Sequence, residues 1–340
     1  MLATGDAVTD VHIPFEHRQT AHCESGVISA LLRDKNVAMS EAMAFGIAAG
    51  LTFAYIPMVK IGGMPLIAYR MPPRRIIREL TRRLGITMAS ETFSSPPAGM
   101  RALDAHLAAG RVVGLQTSVF WLTYFPPDMR FHFNAHNLIV HGKRGDQYLI
   151  SDPVMDTPVE CDAASLQKAR FVKGALAPKG LLYYPARIPA TLNLPKAITQ
   201  AIRFCTGMML YTPLPIIGVR GIRLVARKIR GLPPADSRRN KLFMGHMVRM
   251  QEEIGTGGAG FRFLYAAFLQ QAADVLNRPA LVDVAAELTA AGDEWRRFAL
   301  WAAMMCKDRM PTNFDQLADQ LLKIATMEQA VYKRLRAAVK

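Results

Sequence analysis

The run HNLIVHGKRGDQYLISD, His136 to Asp152, reads as two strands folded back on a turn. Asn137–His141 and Gln147–Ser151 are rich in residues that suit strands, and Lys143-Arg144-Gly145-Asp146 supplies the turn between them. In a hairpin the turn decides which residues face one another. A turn centred between Arg144 and Gly145 sets His136, at the start of one strand, beside Asp152, at the end of the next. A carboxylate behind an imidazole is the arrangement that orients a general base.

A base of this kind needs a nucleophile, and Cys23 is the candidate. It opens the run CESGVISALLR, in which Val27, Ile28, Leu31 and Leu32 recur at helical spacing. A thiol at a helix N-terminus, with an imidazole nearby, is activated as a nucleophile. Each residue also has an ordinary reading: Cys23 as a small core residue, Asp152 before Pro153 as a turn opener, His136 as an interior histidine bonded to backbone. The combination points to Cys23, His136 and Asp152 as nucleophile, base and orienting group. His132, in the loop FHFNAH, ranks second as base, and His141 lies at the wrong end of its strand. His22 either tunes Cys23 or lines the entrance. Gln19 either donates to an oxyanion together with the Cys23 backbone N–H or is an exposed loop glutamine.

Outward from these residues, Ser40-Glu41 opens a further apolar run. Ala42–Val59 is uncharged and approaches membrane-span length, with Gly46 and Gly50 at small-residue spacing; a buried helix is expected there. Pro72-Pro73 opens a basic helix over 74–84, closed by Gly85. A short helix over 103–109 ends at Gly110, and Val112–Trp121 reads as a buried strand. Leu181–Tyr184 is the expected last strand. Phe204–Val219, broken by Pro213 and Pro215, reads as an interfacial or core segment. From Pro195 onward only helices are expected, over 195–211, 214–230, 237–253, 259–276, 279–291, 293–307 and 313–337. The fold class is therefore α+β: an antiparallel-sheet domain over 1–188, then an all-α domain over 189–340.

The 42 Lys and Arg against 27 Asp and Glu give a net charge of +15, which favours acidic partners: a carrier protein, anionic lipid or nucleic acid. No zinc-finger spacing, RNA-binding signature or aromatic-interleaved basic arm accompanies the charge, so nucleic acid is not the partner it points to. Candidate docking groups are Arg74, Arg75, Arg78, Arg82 and Arg83, or Arg220, Arg223, Arg227, Lys228 and Arg230; a solvated basic helix face is the other reading. Gly255, Gly257, Gly258 and Gly260, with Arg262 behind them, either present N–H groups and a cation to a phosphate or form a tight inter-helix turn. Cys23, Cys161, Cys205 and Cys306 are scattered without a CxxC pair, suggesting neither a disulfide framework nor a metal site. With an N-terminus, MLATGDAVTD, unlike a signal peptide, they fit a reduced cytoplasmic protein. Met-rich helices such as Phe298–Met305 suit a core, a homodimer interface or an acyl chain.

The segments HCESGVISALLRD, SEAMAFGIAAGLTFAYIP, WLTYF, HFNAHNLIVHG and YLISDP resemble the butirosin biosynthesis protein H N-terminal family across about residues 11–185, and EEIGTGGAGFRFLYAAFLQQAA resembles its companion helical domain, DUF4872. The resemblance implies a papain-like, C39-related fold whose catalytic Cys, His and Asp fall on Cys23, His136 and Asp152. It further implies an acyltransferase that takes an acyl group from a phosphopantetheine-linked thioester, of an acyl carrier protein or CoA type, to an amine or hydroxyl acceptor, with no permanently bound cofactor. Hydrolysis by the same trio, as a thioesterase or amidase, and a non-catalytic lipid- or carrier-binding module are the rival readings.

Overall fold

The protein is described by a computed structural model covering residues 10–61, 63–233 and 237–340, without the side chain of Ile61. Of the opening stretch MLATGDAVTD, read as unlike a signal peptide, residues 1–9 lie outside the described residues.

The first half of the chain forms β1 (Val11–His12), α1 (Cys23–Arg33), α2 (Glu41–Ile47), β2 (Leu51–Ile61), β3 (Met64–Arg70), α3 (Arg75–Leu84), β4 (Thr87–Glu91), α4 (Pro96–Ala108), β5 (Val113–Thr117), β6 (His136–Arg144), β7 (Gln147–Ser151), β8 (Val159–Asp162), α5 (Ala163–Phe171) and β9 (Leu182–Arg187). Helices alone follow: α6 (Leu194–Tyr211), α7 (Gly218–Arg230), α8 (Ser237–Val248), α9 (Arg262–Leu276), α10 (Ala280–Cys306) and α11 (Phe314–Ala338). Among the described residues, no helix is long and apolar enough to cross a membrane.

Two compact units result, and they do not follow the expected boundary. One takes the chain up to Glu41 together with Gly85–Ala190; the other takes Ala42–Leu84 together with Thr191–Lys340. Residues 42–84 thus group with the helical unit rather than with the sheet that flanks them in sequence. The reason lies in Ala42–Val59, which is not the expected single buried helix. It is the short α2, then the strand β2 paired antiparallel with β3. Gly46 and Gly50 each admit an aromatic ring, at Gly46 one carried by α9. A Cβ on Gly46 would meet Phe268 Cγ at 2.0 Å, and one on Gly50 would meet Phe45 Cε2 at 2.6 Å. After Gly50 the β-branched and aromatic residues of LTFAYI favour the extended state.

The first unit is built on an antiparallel sheet in the order β4-β9-β5-β6-β7-β8, with β1 also paired to β6. Leu103 and Leu107 of α4 and Leu166 of α5 close a core against Leu115, Leu138, Val140 and Ile150. Helix α1 packs on β5, β6 and β9, and its residues from Cys23 to Leu32 are all buried. Gly114 in β5 makes room for the Tyr183 ring, since a Cβ there would stand 2.4 Å from Tyr183 Cε2.

The hairpin forms with a different register. Arg144 pairs with Gln147 across a two-residue Gly145-Asp146 loop, in which Gly145 takes φ +58°, the positive φ such turns ask of their first central residue. An irregularity between Val140 and Gly142 then leaves Ile139 opposite Ser151. Extending that register sets Leu138, not His136, across from Asp152.

In the helical unit, α10 runs unbroken where two helices meeting at 292 are expected. Gly292 is a contact point, not a break: a Cβ there would stand 2.6 Å from Phe263 Cε1.

Candidate active site

Cys23 is the first residue of α1. His22, in extended conformation, caps the helix through Nδ1, which accepts from the Ser25 N–H at 3.3 Å. The turn ahead of the helix is held by Glu41, whose carboxylate accepts from the backbone N–H of Ala21 (2.9 Å) and His22 (2.7 Å) and from Ser25 Oγ (3.0 Å). Burial raises the Glu41 carboxyl above its usual range, against those three bonds. An anion here also suits the positive end of the helix dipole.

His136 opens β6, and its Nε2 stands 2.6 Å from Asp152 Oδ2 just past the end of β7. The side chains meet despite the register offset because Asp152 follows the last paired residue and is free of the ladder. Asp152 is fully buried and also accepts from Tyr124 Oη at 2.6 Å and from the Val154 N–H at 3.1 Å. Burial disfavours a charged His136, but the Asp152 carboxylate, its hydrogen bond and a hydrogen bond with Cys23 outweigh it and lift the ring to about 10. At neutral pH the ring is an imidazolium between a carboxylate and a sulfur. Asn137, the next residue, directs Nδ2 toward Cys23 Sγ at 3.9 Å, and its Oδ1 accepts from Tyr183 Oη at 2.7 Å. Burial disfavours the phenolate and raises the Tyr124 and Tyr183 phenol pKa values well above their ordinary range, so both remain donors.

The folded state therefore binds the His136 proton more tightly than the unfolded chain, whose histidine titrates near ~6.5. The stability this contributes is fully present below that pH and is lost as pH rises toward about 10. Urea denaturation across that window should show the decline, and Asp152→Asn should flatten it. An identical pH dependence in the variant would refute the assignment.

The other candidates fall elsewhere. His132 is exposed and stacked on Phe120 at 4.1 Å. The His141 ring bonds the Ile13 carbonyl at 3.3 Å. Gln19 is exposed and donates to the Val154 carbonyl at 3.4 Å, beside the Asp152 turn. His22 acts as a helix cap. The phosphate reading of the glycine-rich turn is corrected for two reasons. Arg262 is fully buried, with Nε and Nη2 2.8 and 3.1 Å from the Glu328 carboxylate. The Ala259 N–H meets the Glu252 carboxylate, and the Gly258 N–H meets Thr256 Oγ1. Gly255, Gly257, Gly258 and Gly260 all take positive φ, as a tight inter-helix turn requires. In the basic clusters, Arg75, Arg78, Arg82 and Arg83 surround Glu79, and Arg230 pairs with Asp315 and Asp319.

Tyr124, Asn137, Tyr183 and Glu41 escaped the sequence reading of the site. Tyr124 and Asn137 lie in quoted segments but carry no local mark of a role. Glu41 was read only as a helix start.

Among solved structures, a chain described as a C39-like peptidase from Bacillus anthracis is similar over 53% of this chain and 100% of its own, at 13% identity and a TM-score of 0.37. That level carries no argument. No curated protein matches the chain. The family model described as butirosin biosynthesis protein H, N-terminal, matches residues 22–153, and that described as a domain of unknown function, DUF4872, matches residues 164–335. The chain belongs to the DUF4872 family, whose model covers half of it, and carries the butirosin biosynthesis protein H N-terminal region ahead of that domain.

Proposed function

We propose that this protein is a cysteine-dependent acyltransferase that moves an acyl group from a carrier-bound thioester, through Cys23, to an amine or hydroxyl acceptor. The observation that carries the reading is the buried set of Cys23 at a helix start, His136 bonded to it, and Asp152 2.6 Å behind the imidazole. The Cys23 sulfur, its proton held by His136, attacks the thioester carbonyl carbon. The donor C–S bond breaks, and the departing thiolate takes the proton from His136. With its proton gone to the departing thiol, His136 is left neutral, in the form that serves as a base. It then takes the proton of the attacking amine as the Cys23–acyl bond breaks. The Cys23 N–H is the proposed oxyanion donor. A phosphopantetheine arm supplies the donor thioester, an acidic carrier protein is the proposed partner, and the cytoplasm the proposed compartment.

Intact-protein mass spectrometry after incubation with acyl carrier thioesters tests this: an acyl mass on Cys23 is expected, and product formation without it contradicts the scheme. Added amine should divert product from free acid; if acid alone accumulates, the enzyme is a hydrolase. Tyr124→Phe, which removes one donor from Asp152, should lower turnover by about 10-fold and stability by about 1–3 kcal/mol. Wild-type turnover would deny Tyr124 a part in positioning the base.

A further inference from the structure

Two segments of the helical unit, residues 42–78 and 194–233, contain no Asp or Glu. The fold brings them together: Ala54 bridges Ile217 antiparallel, and the Tyr55 N–H donates to the Ile216 carbonyl at 2.8 Å. Because that bridge is antiparallel, the chain running on from Tyr55 and the chain running back from Ile216 leave it in the same direction. What they carry there is apolar and exposed. Ile56 pairs with Leu66 and Lys60 with Pro65, so Pro57, Met58 and Val59 are extruded from the ladder. Met58 is 73% exposed and Leu214, between two exposed prolines, 50%. The cations stand beside them: Arg220 Nη1 donates to the Pro213 carbonyl at 3.3 Å, Arg336 lies over the exposed Tyr211 ring at 5.2 Å, and Lys60 closes the extruded loop.

We propose that this tip docks on an anionic lipid surface, with Met58, Val59 and Leu214 entering the acyl boundary and Lys60 and Arg220 meeting headgroup phosphates. Protruding apolar side chains ringed by cations match such a surface, which yields around them and is negatively charged. An acidic carrier protein would account for the cations but not for an extruded loop of uncharged side chains. The Cys23 chemistry plays no part in the contact.

Sedimentation of the full-length protein with phosphatidylcholine vesicles, with and without phosphatidylglycerol, tests this. Binding is expected to the anionic vesicles only, to weaken with salt, to be the same for Cys23→Ala, and to fall about 10-fold or more in Met58→Asp/Leu214→Asp. Far-ultraviolet dichroism checks that the variant is folded. Met58→Trp provides a second reading, through a blue shift of its emission when anionic vesicles are added. Absence of binding, equal binding to neutral vesicles, undiminished binding by the folded double variant, or no blue shift would each overturn the proposal. So would an acidic carrier protein binding the tip, with loss in the double variant, where vesicles do not.

Discussion

Cys23→Ala is expected to lower acyl transfer by about 10³-fold or more and to abolish the acyl adduct, with His136→Ala close behind. The sulfur forms the bond to the acyl group, and the ring handles every proton that moves, so neither works without the other. The Cys23→Ala/His136→Ala double variant should therefore be no slower than the worse single one, because groups acting as a unit are grossly non-additive. Single-turnover transfer with carrier thioesters measures this. Multiplying defects would mean that the two residues act independently, and near-wild-type transfer by Cys23→Ala would end the covalent scheme. Since Cys23 is a buried residue, urea midpoints must accompany the rates.

Glu328→Ala should cost about 3–5 kcal/mol of stability, the loss typical when one partner of a buried ion pair is removed. Both side chains of the Arg262–Glu328 pair are fully buried, and Trp295 Nε1 donates to the same carboxylate at 2.6 Å. Burial opposes the Arg262 charge, yet the Glu328 carboxylate holds the guanidinium above its usual basicity. Deleting Glu328 leaves that cation facing the Tyr69 and Trp295 rings, at 5.7 and 5.0 Å, with no counter-charge. Urea denaturation reads the loss. Arg262→Met/Glu328→Leu should be milder than Glu328→Ala, because it removes both charges and retains volume. A loss below about 1 kcal/mol would show that water reaches the pair.

Local pattern carried much of the fold. The helical period after Cys23 gave α1 its start, the turn residues around Gly145 gave the β6–β7 hairpin, and the absence of strand signals after Pro195 gave the helical region. Register was less legible, because an irregularity near His141 is set by packing and not by the turn. Gly46 and Gly292 misled for a related reason. A glycine looks the same in sequence whether it marks small-residue helix packing, ends a helix or admits a ring, and Phe268 and Phe263 are the rings concerned.

From sequence alone came the α+β class, the helix that begins at Cys23 and the choice of His136 and Asp152 as partners, since periodicity, turn chemistry and side-chain type are properties of neighbours along the chain. Only the tertiary structure decided that residues 42–84 join the helical unit, that Arg262 answers Glu328 instead of a phosphate, and that Tyr124 and Asn137 complete the surroundings of the base and the sulfur. Those outcomes depend on which distant side chains exclude water together, and burial of that kind leaves no period in the sequence.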